Sequence, residues 1–264
     1  MVGSKNEPEG ILLGEMVAQH LERRLDGNVR RQLSLGNTAI TYQALLTGQI
    51  ALYPEYSGLI ETEILKETPN PDPAILIERA RGEMNRVAQS ELLDSLGFDS
   101  HAVMAVQAVN APGGGTLSAA ADGPSKWKIG VSFSFQDRSD GLPALNHYRL
   151  PLGAAVRAMD GKDLFPALLK GDLNMIATTA TDGHLASNDY KVLADDKKAF
   201  PAQFASVLVR KDKLADEPRL KGALQELTGK ITVAQMRKWN AQVDVEKKPV
   251  AEVAATALAE IGLH

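Results

Sequence analysis

The spacing of apolar residues near the start of the chain predicts two helices. A helix over 10–25 is indicated by apolar residues that recur at intervals of three and four, as one buried helix face requires: Leu13, Met16, Val17 and Leu21. A second helix is predicted over 37–48, because Asn37 and Thr38 are both good N-caps and a glycine at 48 is a common C-terminal stop. Both helices therefore have recognisable ends in the sequence.

Apolar runs further along the chain predict strands that alternate with helices. The run 49–53 predicts a short strand closed by Pro54, and a long helix is predicted from Pro73 to about Leu93. Later apolar stretches predict strands over 102–109, 128–133, 154–159, 173–178 and 205–209. Further helices are predicted over 163–170, 217–228, 233–239 and 249–261. This alternation is typical of α/β folds.

The order of the elements predicts two lobes that share one chain. If the chain passes to the second lobe near residue 103 and returns near 207, two strands join the lobes and form a hinge. Residues 1–103 plus 208–264 are then the first lobe, and residues 104–207 the second. Ligands of open α/β sheets bind at the carboxyl ends of strands, so the cleft between the lobes is the expected site.

Composition excludes several classes of function. The net charge is −4, and Lys and Arg are scattered, so no basic stripe for nucleic acid is present. The 264 residues include no cysteine, which excludes disulfides, thiolate metal sites and a cysteine nucleophile. Neither metal-ligand spacing nor a phosphate-binding loop is found, so no metal, cofactor or catalytic residue is predicted. The first strand begins almost at Met1, which predicts a mature domain whose targeting segment has been removed.

Eight short motifs, in order along nearly the whole chain, resemble one family of binding proteins. The first four are GlySerLysAsn at 3–6, GlyIleLeuLeuGlyGlu at 10–15, LeuTyrProGluTyrSerGly at 52–58 and LeuGlyPhe at 96–98. The others are ArgSerAspGlyLeuPro at 138–143, ThrAspGly at 181–183, AspAspLysLysAlaPhePro at 195–201 and GlnValAspValGlu at 242–246. They resemble the substrate-binding proteins of osmoprotectant ABC importers, which take glycine betaine, carnitine, choline and similar quaternary amines.

The resemblance implies a fold, a function and a location. It implies a type II periplasmic-binding-protein fold, a two-lobed Venus flytrap that closes on a small polar solute and delivers it to the membrane permease of an ABC importer. It further implies a monomer without enzymatic activity, periplasmic or extracellular and membrane-anchored.

The tyrosine cage that holds quaternary ammonium in that family is largely absent here. Aromatic faces attract a cation that has no hydrogen to donate. Tyr56 matches one wall of the cage, but the other three walls are matched by Ala102, Thr179 and Gln203. Lys5 and Arg138, which the resemblance places at the ligand's carboxylate, are both present. The resemblance therefore implies a carboxylate-bearing solute that is either not a betaine or a betaine bound weakly.

Nine residues are predicted to bind the ligand: Lys5, Glu9, Tyr56, Ser57, His101, Arg138, Thr179, Thr181 and Gln203. Several have ordinary structural alternatives. Tyr56 fits a core aromatic, Arg138 a surface ion pair with Asp137, and His101 a satisfied histidine at the lobe boundary. Three functional alternatives also stay open, namely the binding domain of a fused permease, a sensor, and an enzyme on the same bilobal fold.

Overall fold

The computed structural model describes residues 1–263, and in that range the strands form two five-stranded sheets. The strands, in chain order, are β1 (Val2–Gly3), β2 (Arg31–Gln32), β3 (Leu52–Tyr56), β4 (Ser90–Leu92), β5 (Ala102–Gln107), β6 (Ile129–Ser132), β7 (Arg157–Met159), β8 (Met175–Thr179), β9 (Tyr190–Leu193) and β10 (Ala205–Arg210). The first sheet has the order β2-β1-β3-β10-β4, and the second β7-β6-β8-β5-β9. In each sheet, the first strand after the chain passes between the lobes joins a set of parallel strands in antiparallel fashion. β10 pairs in this way with β3 in the first sheet, and β5 with β8 in the second.

Helices cover both sheets. The α-helices are α1 (Pro8–Leu25), α2 (Thr38–Leu46), α3 (Ser57–Leu59), α4 (Pro73–Val87), α5 (Leu117–Asp122), α6 (Phe133–Asp137), α7 (Leu142–Leu145), α8 (Gly161–Lys170), α9 (Lys211–Asp216), α10 (Arg219–Gln225), α11 (Val233–Asn240) and α12 (Val250–Glu260). The side chain of Asn37 caps α2 as predicted. A capping box between Thr232 and Gln235 begins α11.

Each sheet has its own hydrophobic core, which defines the two lobes. In the first lobe, α1 packs on the first sheet and α10 and α12 pack on α1, and the shared core includes Leu12, Val207 and Trp239. In the second lobe, the core residues Met104, Val131 and Met175 come from three neighbouring strands. The predicted α/β architecture of two lobes is confirmed.

Two chain segments join the lobes, one between β4 and β5 and one between β9 and β10. They pair with each other midway, because Asp99 bridges Phe204 in antiparallel fashion and Ser100 N donates to Gln203 O at 2.9 Å. The predicted two-strand hinge is therefore present. The division of the chain at 103/104 and 207/208 stays a prediction.

Pro54 lies inside β3, so the prediction that it closes a strand over 49–53 was wrong. β3 pairs antiparallel with β10, and Pro54 lies opposite Val207. Hydrogen-bonded pairs alternate along such a ladder, and Ser57 N donates to Phe204 O at 3.1 Å three positions further on. Pro54 therefore occupies a position that needs no N–H toward β10, and proline is tolerated there.

The helix that begins at Pro73 ends at Val87, six residues before the predicted end. Gln89 has a φ of 47°, in the left-handed region, and turns the chain into β4. β4 then pairs antiparallel with β10, which the sequence pattern did not predict. Apolar periodicity does not distinguish a last helical turn from a short edge strand when both bury the same residues.

No helix within residues 1–263 combines the length and the apolar character that a membrane crossing requires. Over the same residues, histidines and carboxylates do not gather in threes in the way that would hold a metal ion.

Candidate ligand-binding site

The first part of the site lies at the carboxyl end of β3 and just beyond the carboxyl end of β1. Lys5 Nζ donates to Glu55 Oε1 at 2.6 Å, and both side chains are buried, 2% and 0% exposed. Tyr56 N donates to the same Glu55 oxygen at 2.8 Å. The Lys5 ammonium also lies 4.5 Å from the centre of the Tyr56 ring. The positive charge of Lys5 is therefore balanced by the Glu55 carboxylate within the first lobe.

The shortness of β1 explains this arrangement. β1 runs parallel to β3 with Val2 opposite Leu52, and it ends at Gly3. The Tyr56 N–H is thus beyond the last ladder position of β1, and a buried N–H without a partner is costly. The Glu55 carboxylate supplies the missing acceptor, and Lys5 balances its charge.

A hydrogen-bonded chain crosses from the first lobe to the second through Asn240, the last residue of α11. Tyr56 Oη donates to Glu9 Oε1 at 2.5 Å, and Asn240 Nδ2 donates to Glu9 Oε2 at 2.6 Å. Asn240 Nδ2 also donates to the carbonyl oxygen of Thr181, in the second lobe, at 2.8 Å. Burial, and next the negative charge of Glu9, raise the pKa of Tyr56 well above its ordinary value. The phenol stays a neutral donor to Glu9.

The end of α11 packs on the chain that follows β8. Arg237 Nε donates to Ala180 O at 2.5 Å. Gly183 approaches the backbone so closely that a Cβ there would lie 2.5 Å from Ala241 N, so only glycine fits without movement. Thr181 is fully buried, and its hydroxyl lies 2.6 Å from that of Ser100 in the hinge. The lobes are therefore in close contact along this edge.

The second part of the site is centred on Asp140, which follows α6. Arg138 donates from Nε to Asp140 Oδ1 at 2.7 Å and from Nη2 to Oδ2 at 2.5 Å. Gln203, from the hinge, donates from Nε2 to Asp140 Oδ2 at 3.0 Å. Its Oε1 accepts the N–H of Leu59 in the first lobe at 3.0 Å. Gln203 therefore connects the two lobes.

The remaining predicted residues lie around the hinge. Thr179 is the exposed last residue of β8 and lies directly opposite Ala102 on the neighbouring strand β5. His101 is half-buried, with Nδ1 3.2 Å from Asp99 Oδ2. Ser57 is buried, and its Oγ accepts the N–H of Phe204 at 3.1 Å.

A crevice of about 330 Å³ opens between the lobes beside Arg138. It is lined by Thr62, Glu63, Lys66, Glu67, Thr68, Asp137, Arg138 and Ser139. The first five residues belong to the first lobe and the last three to the second, so both lobes line the crevice.

The predicted residues thus form two connected groups. Tyr56 contacts both Lys5 and Glu9, and Asn240 connects Glu9 to Thr181. Arg138 and Gln203 meet at Asp140. Lys5 and Arg138 do not share a partner, since each is paired with its own carboxylate. That these nine residues touch a ligand stays a prediction.

Sequence reasoning missed three residues that organise the site, Glu55, Asp140 and Asn240. Glu55 and Asp140 belong to motifs that carry the family resemblance, TyrProGluTyr and ArgSerAspGly, so a signal for them was present. Asn240 lies 231 residues from Glu9 and 59 from Thr181, and no local pattern connects them.

Two histidines are expected to titrate on opposite sides of the ordinary histidine value of about 6.5. The hydrogen bond that His184 Nδ1 donates to Asp182 Oδ1, 3.0 Å away, raises the pKa of His184. Burial in the first lobe lowers the pKa of His20, whose Nε2 lies 2.8 Å from Ala223 O. Titration of both rings by NMR tests this, and Asp182→Asn should move only His184 back.

The raised pKa of His184 also makes the free energy of unfolding depend on pH. Because its folded pKa is raised, its contribution is fully present below about pH 6.5 and is lost as pH rises through the folded pKa. The free energy of unfolding of wild type relative to His184→Gln should therefore fall across that range. A difference that grows with rising pH would contradict the assignment.

Comparison with known proteins places this geometry in one family. The model of the "Substrate binding domain of ABC-type glycine betaine transport system" matches residues 1–260. A solved structure described as a glycine betaine/carnitine/choline ABC transporter has a TM-score of 0.88 and 27% identity, and covers 99% of this chain and 98% of its own.

The names of two curated relatives mention different solutes. The ergothioneine transport permease/ergothioneine binding protein EgtU of Helicobacter pylori (strain G27) is 28% identical over 100% of this chain and 48% of its own length. The chain thus spans about half of that relative. The carnitine transport binding protein OpuCC of Listeria monocytogenes is 26% identical over 96% of this chain and 83% of its own. With two lobes, a two-strand hinge and a family match over nearly its full length, the chain belongs to the substrate-binding domains of ABC-type glycine betaine transport systems.

Proposed function

We propose that this chain captures a carboxylate-bearing polar solute other than a simple betaine, by closure of its lobes, for delivery to an ABC-importer permease. The observation that carries the proposal is the wall at the hinge end of the second sheet. Ala102 and Thr179, two of the positions where the family's tyrosines are expected, lie directly opposite each other on β5 and β8. They offer a methyl and a hydroxyl in place of two aromatic rings, so this wall suits a hydrogen-bonding group.

The retained aromatic, Tyr56, supports the same proposal. Its ring already has the Lys5 ammonium 4.5 Å from its centre, and its hydroxyl is bound to Glu9. One face of the ring is therefore occupied by a cation of the protein itself, which disfavours a quaternary ammonium on that face. Glu9 offers a carboxylate acceptor, which suits a ligand N–H better than a quaternary ammonium, because the latter has no hydrogen to donate.

The proposal extends to partners and location. The chain acts as a monomer, as a binding protein rather than an enzyme, on the outer side of the membrane, either periplasmic or extracellular and anchored. A second arrangement is favoured by one observation: the name of the Helicobacter pylori relative joins a permease to a binding protein, and this chain spans 48% of it. The chain would then be the binding domain of a fused permease.

Mass spectrometry of the solute released from protein purified without refolding tests the proposed function directly. We expect a small molecule with a carboxylate, recovered unchanged after incubation. At one hundred times its Kd, the solute should raise the free energy of unfolding by about 2.7 kcal/mol. Small-angle scattering should show a more compact particle on binding. A stabilising solute that leaves the scattering unchanged would count against closure.

Glycine betaine itself is expected to bind weakly, with a Kd in the high micromolar range or worse. Each missing aromatic wall removes about 0.5 to 2 kcal/mol. Calorimetry measures the affinity, and the double variant Ala102→Tyr/Thr179→Tyr, which restores two opposite walls, should tighten it about tenfold or more. A low-micromolar Kd for the wild type would refute the expectation.

A further inference from the structure

The guanidinium of Arg138 is bound along one edge and leaves its end free. Within the described residues the side chain donates to Asp140 alone, through Nε and Nη2. A guanidinium has five N–H donors in a plane, so Nη1 and the second hydrogen of Nη2 remain. That pair of donors has the spacing that a carboxylate accepts in bidentate fashion. Arg138 can therefore hold Asp140 and an anionic ligand group at once.

Asp140 is in turn held in place by Gln203. Asp140 is 3% exposed, and its Oδ2 accepts both Arg138 Nη2 and Gln203 Nε2. Gln203 is 4% exposed, and it is fixed at its other end by Leu59 N–H. Its backbone N–H donates to Asp99 Oδ1 at 2.7 Å. The carboxyamide therefore has little freedom to turn toward another partner.

Close packing restricts Gln203 further. A Cβ at Gly58 would lie 2.5 Å from Gln203 Nε2 and 2.7 Å from Ala202 O, so a side chain there would collide with the amide. A family tyrosine is expected at position 203. The glutamine that replaces it is committed to contacts within the protein, on both sides of the hinge.

A second arginine in the same chain shows what an ordinary structural pair looks like. Arg210 and Asp212 have the same spacing and form the same fork, Nε to Oδ1 at 2.9 Å and Nη2 to Oδ2 at 2.8 Å. Arg210, however, uses Nη1 on the carbonyl oxygen of Leu45 at 2.9 Å, so the protein itself occupies its free end. The Asp212 carboxylate is about half exposed, whereas Asp140 is buried.

We propose that Gln203 and Asp140 are positioning residues, which aim the free end of Arg138 at the carboxylate of the solute. Gln203 does this when the lobes are closed, because it reaches Leu59 in the first lobe and Asp140 in the second. Discrimination for a carboxylate is thereby coupled to closure. The proposal rests on the proposed function, and it assigns Gln203 an effect on the ligand through Asp140 and Arg138.

Hydrogen exchange of the arginine Nε–H groups, followed by NMR at a glycine betaine concentration that saturates each variant, tests the positioning in the closed state. Asp140→Asn keeps the shape of the side chain, and Gln203→Met keeps its approximate length while it removes both the donor to Asp140 and the acceptor for Leu59. In both variants the Arg138 Nε–H should exchange about fivefold faster or more, because a hydrogen bond is lost either by Arg138 itself or by the Asp140 carboxylate that holds it. The Arg210 Nε–H in the same molecule should be unchanged. Asp212→Asn is the matched control and should accelerate exchange of the Arg210 Nε–H only.

Binding of glycine betaine and choline, at millimolar concentrations, tests the link to the carboxylate. Choline is the matched probe because it carries the same cation without a carboxylate. Both variants should weaken glycine betaine about tenfold and change choline less than twofold. Unchanged Arg138 exchange, or an equal loss of both probes, would overturn the positioning role. The proposed function fails separately, when Arg138→Ala binds the released solute as well as wild type.

Discussion

Arg138→Ala is expected to weaken binding of the cognate solute by about 30-fold to 1000-fold, equivalent to ~2 to 4 kcal/mol. The reason is that Arg138 lines the crevice between the lobes and keeps one end of its guanidinium available, while Asp140 holds its other edge. Removal of a charge-assisted contact from a closed, desolvated site costs more than removal of a surface pair. Calorimetry with the solute identified by mass spectrometry measures the loss.

The conservative variant and a distant control define this prediction. Arg138→Lys should restore affinity only in part, because an ammonium cannot hold Asp140 and a carboxylate in one plane. Arg210→Ala, at a matched pair outside the crevice, should leave affinity unchanged. A complex in which no anionic group of the solute lies near Arg138 would refute the assignment.

Loss of affinity in Arg138→Ala must be separated from loss of folding. The substitution leaves the buried Asp140 carboxylate with Gln203 as its remaining partner among the described contacts. A buried charge that loses its counter-ion destabilises the fold. The double variant Arg138→Ala/Asp140→Asn removes that charge, so it should recover stability without recovering affinity.

Lys5→Met is expected to lower the free energy of unfolding by about 3 to 5 kcal/mol, the usual result of breaking a buried ion pair from one side. Lys5 and Glu55 are 2% and 0% exposed, and the variant leaves the Glu55 carboxylate with the Tyr56 N–H as its hydrogen-bond partner in the described residues. Urea denaturation measures the change as a shift of the midpoint at constant slope.

Removal of both charges should cost much less. In Lys5→Met/Glu55→Gln the amide oxygen still accepts the Tyr56 N–H, so most of the lost stability should return. Lys66→Met, at an exposed pair with Glu63, is the control and should change stability by less than about 0.5 kcal/mol. A loss below about 1 kcal/mol in Lys5→Met alone would mean that the Glu55 charge finds solvent or a proton.

Most elements of the fold follow from local pattern, and the exceptions have identifiable causes. The helix capped by Asn37 and the strand at 205–210 lie where periodicity and capping chemistry predict them. β4 and β9 were missed because an edge strand of three or four residues leaves too few positions for a periodicity of two. Pro54 was misread because its tolerance depends on the register with β10, which a single sequence does not reveal.

For the site, sequence motifs predicted roles for Tyr56, Arg138 and Gln203 but did not reveal what these side chains contact. The motif that contains Arg138 also contains its partner Asp140, only two residues away, and the fork between them closes locally. The tie from Asp140 to Gln203 spans 63 residues and exists only because the second lobe folds back on the hinge.

The sequence by itself determined the family and the alternation of helices and strands, because both depend on residue identity and short-range spacing, and it predicted that aromatic side chains are missing at three cage positions. Only the tertiary structure decided that Lys5 is neutralised by Glu55, that Ala102 faces Thr179, and that Asn240 joins Glu9 to Thr181. The physical reason is that a buried polar group binds whichever partner the packing of distant elements brings within hydrogen-bond reach.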